Sequence, residues 1–503
     1  MGESAVQGLS GEHAFELGVL PRVRSIERRL SGVFDDDDDC DGSKHEEVEK
    51  VSKRTRSSRP RSRSRFLIFS KTYARGLPEC AVRSAVRGAM VGYAFRAAVG
   101  FFPVLLKSLM RRKFLAREMA RGLLGQQQFE YARFFSVSFT AFNSFMYLTR
   151  GSDSDSNSKS NSRQRKWKHL RALIAGVVLG GPPLLLAPKT ARTSIALFFF
   201  ARALEVACKL IAKRHPQMVV SNPRLIAFSL ANAQILFCWM FQRDALQASF
   251  VRFMDTISAL PSSVTLAASD IFRGSDLSPP QLAKINTTRI AVGARALVPS
   301  QVNNPQSNPL PLLLYPFFSK HASFPLARGF LHHLILCMKV AIRVYIPVYL
   351  IPMLIRPASI AKRPLVSARR FVVNVLRSAL FCSANVSVCG LLLASFGLLT
   401  SRRSGLGPLS GWLGGLFGGA PLLLEKESRR TELALYWLPL AFKAYRKVAE
   451  KFGIATIRGR SEAALQVSLY GASLGLILHA CTQEPDCVRP TYMRIISYLL
   501  ETE

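Results

Sequence analysis

The sequence predicts an all-α, polytopic membrane protein of about ten helices arranged as two homologous five-helix repeats. Of the 503 residues 49% are hydrophobic and the mean hydropathy is +0.16, more apolar than an ordinary soluble chain. Four stretches carry no charge: 225–242, 378–401, 405–424 and 463–483, of 18, 24, 20 and 21 residues. A helix needs roughly 20 residues to cross a bilayer, and continuous apolar runs select helices over the alternating strands of a barrel. The third observation is that "GGPPLLLAPKTARTSIALFFF" at 180–200 recurs as "GGAPLLLEKESRRTELALYWL" at 418–438.

Residues 1–79 read as a charged N-terminal tail. It has no apolar signal core, an acidic run at 35–39, and then "KRTRSSRPRSRSR" at 53–65. Such charge blocks bury no core and are expected to be disordered. The Arg/Ser stretch reads either as an RNA-binding or nuclear signal or, beside a membrane domain, as an electrostatic tether to anionic headgroups, the preferred reading. Residues 80–257 form the first membrane repeat, with expected helices near 82–108, 128–149, 170–187, 192–214 and 224–242 and a polar linker at 151–164. A Pro/Asn/Ser-rich connector follows at 258–325. The second repeat, 326–503, has expected helices near 327–356, 370–400, 408–424, 430–450 and 463–482.

The repeat rests on identities that apolar composition does not supply. Residues 176–203 laid on 414–441 without a gap match at 12 of 28 positions, including Gly176/Gly414, Gly180/Gly418, Gly181/Gly419, Pro183/Pro421, Arg192/Arg430 and Thr193/Thr431. Arg87-Gly88 answers Arg328-Gly329, and "SFVR" at 249–252 answers "TYMR" at 491–494, so the spacing stays between 238 and 242. Five spans per copy would leave the second copy inverted. Any one of the charge-interrupted helices lying flat would instead restore a parallel repeat.

Glycines form the expected helix-packing motif: Gly176, Gly180 and Gly181 in the first copy, and Gly411, Gly414, Gly415, Gly418 and Gly419 in the second. In lipid such small residues let helix backbones touch. The following Pro ends or kinks the helix, and a Thr or Ser near Arg192 and Arg430 can cap the start of the next. Ionisable groups at membrane depth are functional candidates by default: Arg96, Arg202, Glu205, Lys339 and Arg343. Arg202 and Glu205, three apart, can pair with each other, whereas Lys339 and Arg343 are like charges needing an acidic partner, lipid phosphate or water. Glu425 and Glu427, amid Lys426, Arg429 and Arg430, read as a solvated turn.

The net charge of +36 would ordinarily suggest nucleic acid, but Lys and Arg are spread between the apolar runs, where they meet lipid headgroups. Nucleic acid is therefore not the expected partner. Consecutive loops are all basic, so charge bias sets no orientation. The nine cysteines show no metal-ligand spacing and read as structural. His332-His333 reads as packed. No GxSxG, HExxH, P-loop or dinucleotide fingerprint occurs, so neither an enzyme nor a cofactor or metal is expected.

The paired segments 180–205 and 413–445, the "RSALF" at 377–381 and the "SFVR"/"TYMR" endings resemble the transmembrane protein 135 family, also called peroxisomal membrane protein 52, over roughly residues 80 to 500. More remotely they are similar to the Tim17, Tim22 and Tim23 translocase group. The resemblance implies a multispanning protein of peroxisomes and mitochondria that influences organelle dynamics and intracellular lipid distribution. Its implied partners are membrane lipids, with sterol a candidate, and organelle-division or contact-site proteins. Unlike animal members, this chain lacks a Cys-rich N-terminal region. Two alternatives stay open: a translocase subunit, and a solute or lipid transporter with inverted repeats.

Overall fold

The computed structural model describes residues 77–111, 116–151, 162–218, 221–272, 275–291, 295–303, 326–355, 364–399, 407–454 and 459–499, all within one unit, Phe66–Glu503. The charged tail up to residue 76, the core of the 151–164 linker and residues 304–325 of the connector lie outside the described residues.

Every described element is helical. In chain order these are α1 (Leu77–Arg111), α2 (Ala116–Leu124), α3 (Gln126–Gly151), α4 (Ser162–Val178), α5 (Lys189–Arg214), α6 (Pro223–Phe241), α7 (Ala248–Ile257), α8 (Ser262–Phe272), α9 (Pro279–Ala291), α10 (Pro299–Val302), α11 (Leu326–Ile355), α12 (Pro364–Leu399), α13 (Gly407–Phe417), α14 (Glu427–Lys451), α15 (Arg460–Gln483) and α16 (Pro490–Leu499). Helices occupy all ten expected stretches. The connector adds α8, α9 and α10, whose Ile271, Leu282, Ile285 and Val302 make a small core with Leu277 of the loop between α8 and α9.

Among the described residues four helical segments are long and apolar enough to cross a membrane: Pro223–Phe241, Phe330–Ile351, Pro364–Leu393 and Arg460–Gln483. This changes the expectation at two places. The uncharged run 405–424 is not one long helix, because α13 stops at Phe417 and a 3₁₀ turn, Ala420–Leu424, follows Gly418-Gly419. Pro421 has no N–H to continue an α-helical ladder, which confines it to the start of the new turn. Conversely, Phe330–Ile351 qualifies although Lys339 and Arg343 interrupt it. The same break divides α4 from α5, through the 3₁₀ turn Pro182–Leu186 after Gly180-Gly181.

Residue contacts fix the helix directions. On α4 and α15, Gly176 faces Gly475 and Gly181 faces Val467, so the two run antiparallel. On α13 and α6, Gly411, Gly415 and Gly419 face Phe241, Ala233 and Ser229, again antiparallel. Thr193, Phe199 and Lys213 of α5 meet Gln466, Tyr470 and Glu484, running parallel with α15 or, for Glu484, its C-cap. Arg224 and Phe228 of α6 and its C-cap Gln242 meet Glu427, Trp437 and Lys451 of α14, also parallel. Finally, Ser194, Phe200 and Arg202 of α5 meet Lys443, Phe442 and Glu432 of α14 in antiparallel order. The helices flanking each break therefore pack on a long apolar helix from the other half of the chain.

Candidate functional site

The two breaks share one local geometry. Each 3₁₀ turn is followed by an extended residue, Ala187 or Glu425, and the next helix starts at Lys189 or Glu427. Thr193 and Thr431 therefore lie inside their helices and do not cap them; the N-cap residues are Pro188 and Lys426, without side-chain caps. The arginines do the corresponding work. Arg192 donates from Nε to Ala187 O at 3.0 Å and from Nη2 to Leu185 O, while Arg430 donates to Glu425 O and Leu423 O, both at 2.7 Å. Carbonyls that a 3₁₀ turn leaves without N–H partners are thereby satisfied by a fixed charge.

Glycines set how closely the broken helices approach their neighbours. A methyl carbon at Gly176 would lie 2.3 Å from Gly475 Cα, and one at Gly415 2.5 Å from Ala233 Cα, so backbones touch at both positions. Gly180 is crowded by Leu474, Gly411 by Phe241, Gly418 by Cys389 and Gly419 by Ser229, whereas Gly414 has only ordinary contacts. Asn232 donates to Gly415 O at 2.7 Å and Asn385 to Gly418 O at 2.6 Å, tying α6 and α12 to the second break. Beside them Asn232, Trp239, Ser258, His333, Asn385 and Cys389 line a cavity of about 30 Å³, room for a water or two. His333 is buried, bonded through Nδ1 to Ser387 Oγ and through Nε2 to Ser258 O.

Glu425 corrects the solvated-turn expectation, because it is only 1% exposed. Its Oε1 accepts from Ser378 Oγ at 2.8 Å and from Arg429 Nη1 at 3.1 Å, while its buried Oε2 has no hydrogen-bond partner. Arg429 also donates to Ser378 Oγ and lies 4.4 Å over the Tyr349 ring. Burial pushes the Glu425 carboxyl above the usual carboxylate range, against Ser378 and the nearby Arg377, Arg430 and Lys426, which pull it down. Only Glu427, paired with Arg224, fits a solvated turn.

The other charged candidates fall into two kinds. Arg202 and Glu205 do not pair chiefly with each other: their closest atoms are 3.8 Å apart, while Arg202 binds Glu432 at 2.9 Å and Glu205 binds Arg489 at 2.7 Å. Arg489 reaches Glu432 as well, so four charges lock α5, α14 and the start of α16 together. Spacing three apart on one helix could not reveal this network, since the partners lie hundreds of residues away. Arg96 donates to Gln127 and sits 5.8 Å over the Tyr131 ring, between α1 and α3. Lys339 and Arg343 differ: both are exposed on the outer face of α11 with no ion-pair or hydrogen-bond partner among the described residues. A cation at the centre of a membrane helix costs about 2.5–3.5 kcal/mol on insertion scales.

Among the described residues no group of His, Cys, Asp and Glu could hold a metal, and Cys481 and Cys487, close in sequence, do not bridge. No family model, curated protein or solved structure matches the chain.

Proposed function

We propose that the chain is an inverted-repeat, multispanning organelle membrane protein of the transmembrane protein 135 kind. It acts on lipid distribution and, through it, on the shape and division of mitochondria and peroxisomes. One observation carries the architecture: sequence-equivalent helices α5 and α14 pack antiparallel, and each half's broken segment packs on the other half's fifth helix. A two-fold axis relating antiparallel helices lies in the membrane plane, as in proteins built to expose one site alternately to two sides. The matched Arg192 and Arg430 bonds support the same equivalence. The lipid role and the organelle rest on the family resemblance.

A second reading, a transporter of a polar solute, is favoured by one specific feature: the buried Glu425 at the second break, where the first copy has Ala187. Carbonate extraction of fractionated organelles from cells carrying a tagged chain, followed by sterol and phospholipid analysis with and without it, tests the lipid role and the organelle. Carbonate-resistant chain in peroxisomes and mitochondria with altered lipid content is expected. Unchanged lipid content removes the lipid role, and confinement to the mitochondrial inner membrane favours a translocase-type subunit instead.

A further inference from the structure

The outward face of α11 carries a stripe at helical spacing: Leu331, Ile335, Lys339, Arg343, Ile346 and Leu350, all exposed. The opposite face, His333, Cys337 and Ala341, is the buried one. The stripe is apolar at both ends and doubly cationic in the middle. Lys339 and Arg343 lie nine and eight residues from the ends of the candidate span Phe330–Ile351, roughly 12–14 Å of helix rise from either edge. That exceeds what a Lys or Arg side chain covers by snorkelling. Two hydrocarbon-facing cations four residues apart repel each other and, among the described residues, have no counter-charge, unlike Arg202 and Glu205, which are held by Glu432 and Arg489.

We propose that this stripe is a docking surface for a transmembrane helix of a different protein, one carrying carboxylates near the middle of its span. Charge complementarity selects that occupant. Apolar ridges above and below would pack helix on helix, and the two cations would meet carboxylates spaced to match them. A second copy of this chain does not fit, because the one carboxylate of the four candidate spans, Glu462, lies near a helix start and binds Arg446, and Glu205 and Glu432 of α5 and α14 are held by Arg489 and Arg202. A path for lipid headgroups does not fit either, since a headgroup needs polar groups along the whole crossing and this stripe has them only at its centre. At the spacing that pairs Arg87 with Arg328, the first copy has Ala98 and Phe102 where the second has Lys339 and Arg343, so the cation pair is not repeated at the equivalent positions. The proposal requires α11 to cross the membrane and does not depend on the lipid role.

The test uses the full chain reconstituted in phosphatidylcholine vesicles and Leu-rich, 22-residue transmembrane peptides with two Glu, or two Gln, four apart at the centre. Energy transfer between labelled chain and peptide reads association. The Glu peptide is expected to bind at least ten-fold more tightly than the Gln peptide, and the difference to vanish in a Lys339→Gln/Arg343→Gln variant. Equal binding of the two peptides overturns the proposal. So does displacement of the Glu peptide by phosphatidylglycerol at a few per cent of lipid, which would make lipid phosphate the occupant. Ala327→Cys and Ile355→Cys, labelled with a membrane-impermeant reagent, should react from opposite sides. Reaction from one side removes the premise that α11 spans. Because the substituted side chains face outward, unchanged thermal unfolding of the variant confirms that the comparison is between folded proteins.

Discussion

Glu425 and Arg429 are bound unequally. Arg429 keeps the Ser378 hydroxyl, the Tyr349 ring and partial solvent contact if Glu425 is neutralised, whereas Glu425 without Arg429 would be a buried carboxylate held by one hydroxyl. Breaking a buried pair from the side that strands a charge costs about 3–5 kcal/mol; the 35% exposure of Arg429 places this case at or below the lower end. Arg429→Gln should therefore lower the unfolding temperature in detergent clearly more than Glu425→Gln, and the reverse order would show that the pair does not hold this junction. The pH dependence has a definite sign. A carboxyl whose folded pKa is raised binds more protons folded than unfolded, so its contribution is full below the unfolded pKa and is lost as pH rises through the folded one. Unfolding scans across that interval should show stability falling with pH in the parent and a flatter profile in Glu425→Gln. Equal slopes would mean that Glu425 does not titrate differently on folding.

At the scale of elements, the glycines separate into those that hold a backbone contact and those that do not. Gly176→Ala places a methyl against Gly475 Cα and N, backbone atoms that cannot rotate away, so α4 and α15 must part; overpacking of this kind costs about 1–3 kcal/mol. Gly414→Ala meets nothing closer than 3.5 Å and gains helix propensity of roughly 1 kcal/mol. Opposite shifts in thermal stability are expected, and a loss at both positions would show that Gly414 is packed more tightly than its 3.5 Å clearance allows. Sequence spacing made the glycines visible as one class, but only the partner helix distinguishes them. The long helices were legible because apolar runs and the duplicated motif announce them. The short helices α2, α7 and α16 were not, because nine or ten residues of amphipathic pattern give too few turns to stand out beside apolar spans. Glu425 reads as solvated for a related reason: its neighbours in sequence are charged, but in space it meets Ser378 of α12, which Tyr349 of α11 in turn bonds. Lys339 and Arg343 interrupt the span Phe330–Ile351, so it is no uncharged run although it carries no other charge.

For the whole molecule, the chain of helix directions is closed and can be contradicted at a single link. With α4 taken as running up, its antiparallel partner α15 runs down, and α5, parallel with α15, also runs down. The antiparallel contact of α5 with α14 sends α14 up, and α6, parallel with α14, runs up as well. Its antiparallel partner α13 then runs down. Third, fourth and fifth helices thus read up, down, up in one half and down, up, down in the other. Ion pairs gather at the two ends of this arrangement, Arg224 with Glu427 and Lys213 with Glu484 at one, Arg446 with Glu462 and Lys451 with Asp244 at the other. From Arg224 to Gln242, α6 rises roughly 27 Å between those rims, close to a bilayer's hydrocarbon thickness. If the bundle crosses the membrane as proposed, the starts of α5 and α14, which follow equivalent motifs, face opposite aqueous sides. Single cysteines at Lys189 and Ser428 in a cysteine-free background, probed with an impermeant thiol reagent before and after permeabilisation, should label in complementary fashion. Both labelling from one side would require a flat helix in one half and a parallel repeat, and the antiparallel contacts of Ser194 with Lys443 and of Arg202 with Glu432 could not then survive in the membrane.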